Sequence, residues 1–185
     1  MYQIYLSPEK FQLINNLFAG STAKGLSAIL FRTPESSSAT FLTGKVQGDL
    51  PIPGNKLSFV IQGWQQQPKF IVPAQNTINE TKKVKNILPK WYPGRPEQTL
   101  TKNKNQDHYK TIVKEAIERI KKRKFDKVVL ARQKIVEAQK GFDPVQLFLN
   151  LSTKYPNAYV SLLSGPEWGT WIGASPEMLL KSNNQ

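Results

Sequence analysis

The amino-acid sequence predicts an α+β fold in which antiparallel sheets pack against helices. Three observations carry that expectation. Short β-prone runs divided by Pro, Gly, Ser and Asn fill the first third, two helical apolar stripes follow in the second half, and two β-runs flank the turn residues Gly165-Pro166-Glu167-Trp168-Gly169 near the end. The chain has 185 residues, 39% hydrophobic and 10% aromatic, enough to bury a core and to exclude disorder of the whole chain.

Taken in order, Ser7-Pro8-Glu9 reads as an N-cap followed by proline at the first helical position, and Phe11, Ile14, Leu17 and Phe18 recur at helical spacing up to Gly20. Ser27 to Arg32, Thr40 to Thr43 and Leu57 to Ile61 read as antiparallel strands. From about Asn76 to Gln106 periodicity is lost, with Pro89, Pro93 and Pro96 present and only Trp91 and Tyr92 as large apolar residues. This stretch reads as a connection that ends an N-terminal region, residues 1–106, before a second region, residues 107–185.

Asp107 reads as the cap of a helix whose stripe is Tyr109, Ile112, Val113, Ala116, Ile117 and Ile120. Lys127 to Arg132 reads as a buried strand. Asp143-Pro144 opens another helix with Val145, Leu147, Phe148 and Leu151 inward, and Ala158 to Leu163 with Thr170 to Ala174 reads as a hairpin.

Charge and composition narrow the function classes. Lys and Arg number 26 against 13 Asp and Glu, a formal net charge of +13 that suits a polyanion, a membrane surface or a small anionic substrate. Between Thr81 and Lys127 stand 15 basic and 5 acidic residues, so most of the excess lies there. No RNP-like, helix-turn-helix or zinc-finger signature accompanies it, so the excess reads first as a solvated basic face, with a non-catalytic basic binding module as the rival to an enzyme, and no nucleic-acid or membrane partner is expected. With no Cys and His108 alone, disulfide scaffolds, Cys-ligated zinc and iron–sulfur sites are excluded, so any metal must be held by oxygen. No apolar run approaches the ~18 residues of a spanning helix and the N-terminus lacks a signal-peptide pattern, so the expected location is the cytoplasm.

Phosphate-loop, dinucleotide-binding and nucleophilic-serine motifs are absent, which leaves two ionisable residues beside apolar strand sequence. Lys127 precedes Val128-Val129-Leu130. Against apolar walls its ammonium form would be disfavoured and the amine could take a proton, although on pattern alone the first reading is a snorkelling surface lysine. Glu177 follows Gly173-Ala174-Ser175-Pro176 and precedes Met178-Leu179-Leu180, where burial would suit a general acid and exposure a solvated turn or a partner for Arg132. His108 reads as a surface residue, Trp168 and Trp171 as cross-strand packing, and Arg132 as one half of an ion pair.

Four segments in series then become specific: Lys127-Val128-Val129-Leu130-Ala131-Arg132, Phe142-Asp143-Pro144, Tyr155-Pro156-Asn157-Ala158-Tyr159, and Gly169-Thr170-Trp171-Ile172-Gly173-Ala174-Ser175-Pro176-Glu177. In this order and spacing, from about Asp107 to Lys181, the chain resembles the opening of the catalytic domain of chorismate-utilising enzymes, most closely the isochorismate synthases. The resemblance implies the first part of the chorismate-binding fold, related to anthranilate synthase component I, with residues 1–106 as the variable N-terminal region. It implies chorismate as substrate, Lys127 as the general base that activates water, Glu177 as the general acid, and Mg²⁺ as cofactor. Relatives that use an amine nucleophile commonly lack lysine at the position of Lys127, whereas salicylate synthases keep it. The magnesium ligands and the residues that grip the substrate carboxylates are expected beyond residue 185. On that expectation the chain is an N-terminal fragment that forms no isochorismate alone and exposes unpaired strand edges prone to self-association.

Overall fold

The computed structural model describes residues 8–47, 58–62, 69–73, 76–78, 91–92, 105–132, 136–138 and 140–176. The chain forms two compact units, one of Met1–Arg95 with Asp143–Gln185 and one of Pro96–Phe142.

In the first unit the predicted α+β architecture is present. Helix α1 (Pro8–Ala23) outruns its expected end at Gly20. It closes at Gly25, whose φ of 66° lets the Gly25 and Leu26 N–H groups donate back to the Thr22 and Ser21 carbonyls at 3.0 and 2.9 Å. The cap expected at Ser7 lies outside the described residues. Strands β1 (Ser27–Arg32), β2 (Thr40–Gly44) and β3 (Ser58–Gln62) fall where alternation and turn residues put them. β4 (Lys69–Pro73) and β5 (Asn76–Ile78) were not foreseen, and β5 lies at the head of the stretch read as a connection.

Helix α3 (Pro144–Lys154) starts as predicted. Asp143 accepts from the Val145 and Gln146 N–H groups, and Pro144 occupies a first-turn position with no N–H to satisfy. Asn15 of α1 donates to the other Asp143 oxygen at 3.2 Å and so ties the two helices together. Strands β6 (Tyr159–Gly165) and β7 (Gly169–Ser175) make the expected antiparallel hairpin, in register from Tyr159 opposite Ser175 to Gly165 opposite Gly169. Gly165 is required, because a Cβ there would stand 2.6 Å from both Ser27 Oγ and the Trp168 ring.

One sheet runs β5-β2-β1-β6-β7, all neighbours antiparallel, so its strands come from both sides of the Asp107 boundary; β3 and β4 pair separately. Strand alternation sends Ala28, Leu30, Phe41, Val160 and Leu162 to one face, where α1 and α3 cover them with Ile14, Phe18, Val145, Phe148 and Leu149. Phe18 meets Phe41 edge-on at 5.2 Å and Trp91 at 4.9 Å. On α3 the buried residue is Leu149 rather than the predicted Leu147. The opposite face buries Ile29 and Leu42 beneath Val72 of β4, flanked by Phe31, Phe59, Leu163 and Trp168. Trp168 therefore packs as expected, while Trp171 is 63% exposed and donates its indole N–H to the Trp168 carbonyl at 2.6 Å.

Tyr159, whose ring stacks on Phe31 with centroids 5.9 Å apart, has its phenol pushed up to about 12 by burial, against 10.0 for a free tyrosine. Between those values the folded state holds a proton that the unfolded chain has lost. The contribution to stability is therefore full below about pH 10 and disappears as pH rises through about 12. Urea midpoints measured on either side of pH 10 are expected to fall more steeply for the wild type than for Tyr159→Phe.

Candidate active site

The described candidate residues begin on α2 (Asn105–Lys121), the helix of the second unit. It starts two residues before the expected cap, which places Asp107 in the first turn, where a carboxylate favours the helix dipole. Tyr109, Ile112, Val113 and Ala116 are half-buried, whereas Ile117 and Ile120 of the same stripe are exposed. Two exposed pairs, Arg119 with Glu115 at 2.6 Å and Lys121 with Glu118 at 3.0 Å, staple its outer surface. Such pairs add about 0.2–0.5 kcal/mol each. His108 is exposed, as predicted.

The helix is closed by Arg123, whose φ is 53°. Its N–H donates to the Ile120 carbonyl at 2.9 Å and the Lys124 N–H to that of Arg119 at 3.0 Å. This is the pairing usually built on glycine. Phe125 then turns inward and the chain reaches Lys127, which is exposed.

Here the structure corrects the expectation of a buried strand from Lys127 to Arg132. The run is irregular, and Val129 is 83% exposed. The residue types favour a strand, but a strand exists only where a neighbour takes up its N–H and C=O groups. No described strand pairs with this run. The apolar walls anticipated around Lys127 are therefore not supplied by the described residues.

Arg132 lies over the Tyr109 ring, 5.6 Å from its centroid; it pairs with no carboxylate among the described residues, and its candidate partner Glu177 lies outside them. Among the described residues no three His, Cys, Asp or Glu side chains converge, so these residues do not fit a divalent cation. No described helix is long and apolar enough to cross a membrane.

The arginine that sequence reasoning missed is Arg32, at the end of β1 and only 2% exposed. It donates to the carbonyls of Pro156 (2.7 Å), Tyr155 (2.8 Å), Ala158 (3.0 Å) and Thr33 (3.2 Å), and burial lowers its pKa. It thereby clamps the turn between α3 and β6, the turn that carries the Tyr155-Pro156-Asn157-Ala158 segment. Nothing in the local Phe31-Arg32-Thr33-Pro34 sequence marks it, since three of its acceptors lie 123 to 126 residues away.

Neither a curated protein nor a solved structure matches the chain. The sequence model of the family described as Chorismate binding enzyme matches residues 56–185, well over half of the chain, and spans all four of the motif segments. With that match added to the serial motifs and the antiparallel α+β architecture, the chain belongs to the chorismate binding enzyme family.

Proposed function

We propose that the enzyme is an isochorismate synthase that adds water at C2 of chorismate as the C4 hydroxyl leaves. The observation that carries this reading is Lys127 at the head of the Lys127-Val128-Val129-Leu130-Ala131-Arg132 segment, within the family match. Amine-using relatives commonly lack that lysine, and a lysine supplies the proton acceptor that a water nucleophile needs.

In the proposed step the Lys127 amine takes a proton from the attacking water as the C2–O bond forms and the two ring double bonds each shift by one position toward C4. Glu177, as a carboxylic acid, gives a proton to the C4 oxygen as that C–O bond breaks. One water enters and one leaves, so the net change is an isomerisation. The resemblance implies Mg²⁺ as the cofactor of this reaction.

The test incubates the complete enzyme with chorismate and Mg²⁺ in the presence of ammonium. Isochorismate is the expected product, and Glu177→Gln is expected to lower its formation by about 10²–10⁴-fold. Salicylate would move the enzyme to the salicylate synthases of the same family, and anthranilate would overturn water as the nucleophile.

A further inference from the structure

We infer that the turn after α2 is an electrostatic collecting site for the anionic substrate, built from Lys122, Arg123 and Lys124 and leading to Lys127. The inference rests on the proposed function, because it takes its ligand, a small dianion with two carboxylates, from that reading.

Three features of the second unit carry it. The first is which cations are neutralised. Arg119 and Lys121 are paired with Glu115 and Glu118 on the helix, whereas Lys122, Arg123, Lys124 and Lys127 have no ion-pair partner among the described residues. All four are exposed, and Asp126 is the one acidic residue between Lys121 and Lys127.

The second is geometry. The hydrogen bonds from Arg123 and Lys124 back to Ile120 and Arg119 fold three successive cations into one tight turn instead of spreading them along an extended chain. The third is position. Lys127 is three residues beyond Lys124, so its Cα lies within about 11 Å of that of Lys124 even when the chain is fully extended. That is close to the Debye length of about 10 Å at 0.1 M salt, so the field of the turn reaches the candidate base at moderate ionic strength.

A concentration of one sign of charge attracts an oppositely charged ligand and raises its encounter rate at low salt; about tenfold, the lower end of the range known for charged clefts, is the scale for an exposed turn. The ligand favoured over a polyanion is the small dianion, because the turn sits within the family match beside the candidate base and no nucleic-acid-binding motif accompanies it.

The experiment measures kcat and kcat/KM for chorismate in the complete enzyme from low salt to 1 M salt, where the Debye length is about 3 Å. The variant replaces the three cations together as Lys122→Gln, Arg123→Gly and Lys124→Gln, with glycine chosen because it accepts the left-handed backbone of Arg123. The wild-type kcat/KM is expected to fall with salt. The triple variant is expected to lose about tenfold in kcat/KM at low salt, to converge with the wild type at 1 M, and to keep its kcat. Lys122→Arg with Lys124→Arg should retain the wild-type profile, which a role for lysine-specific packing would not allow. Turnover with a salt-independent kcat/KM, or a triple variant unchanged in kcat/KM that loses salt-dependent nucleic-acid retention on a filter, would overturn the collecting site and leave the chemistry standing. Absence of chorismate turnover at every salt concentration would instead overturn the functional reading on which the site rests.

Discussion

Lys127→Ala in the complete enzyme is expected to lower kcat by about 10²–10⁴-fold, the usual contribution of a positioned acid or base. Its unfolding free energy should stay within about 0.5 kcal/mol of the wild type. The second half of that expectation comes from the structure. Lys127 is exposed, makes no ion pair among the described residues and sits in irregular backbone, so truncation removes no packing and orphans no buried group. A loss of turnover with an unchanged denaturation midpoint therefore reports chemistry alone. Near wild-type conversion of chorismate by Lys127→Ala would remove this lysine from the mechanism.

The opposite pattern is expected at Arg32. Replacing it by leucine should destabilise the first unit by about 1–3 kcal/mol, the cost of a buried carbonyl left without its donor. Of the three carbonyls that Arg32 bonds across the fold, that of Tyr155 keeps the Ala158 N–H and that of Pro156 keeps the Glu35 N–H when the guanidinium is removed, whereas no other donor is seen for that of Ala158 among the described residues. Arg32→Lys keeps the charge but lacks the planar fork that reaches several acceptors at once, so it should recover only part of the loss. Urea denaturation of the two variants checks both statements. A midpoint within error of the wild type for Arg32→Leu would mean that the clamp is not what holds the turn between α3 and β6.

These two residues also show where sequence reasoning reaches and where it stops. Local signals sufficed for α1, α3, β1, β2, β3 and the β6–β7 hairpin, because periodicity, Asp143-Pro144 and the turn residues at 165–169 are written in adjacent positions. They failed for β4 and β5. β4 ends on Pro73, and β5 is the three polar-headed residues Asn76–Ile78, extended because they pair with β2. They failed in the other direction at Lys127 to Arg132, where strand propensity is strong and no described partner strand is present. Arg32 was invisible because its burial is decided by carbonyls more than 120 residues away. Lys127 and Glu177 are singled out in the sequence by the apolar runs beside them and take their proposed roles from the serial motifs; Lys127 is exposed and Glu177 lies outside the described residues. The cationic turn was legible as charge, but the helix closure that gathers it was not.

The most direct test of water addition assisted by Lys127 follows the oxygen. The complete enzyme is incubated with chorismate and Mg²⁺ in ¹⁸O-labelled water, and the product is analysed by mass spectrometry beside that of Lys127→Ala. The expected product is isochorismate carrying one solvent-derived oxygen at C2 from the wild type, with almost none from the variant. Isochorismate without the label, or labelled product formed equally well by Lys127→Ala, would contradict it.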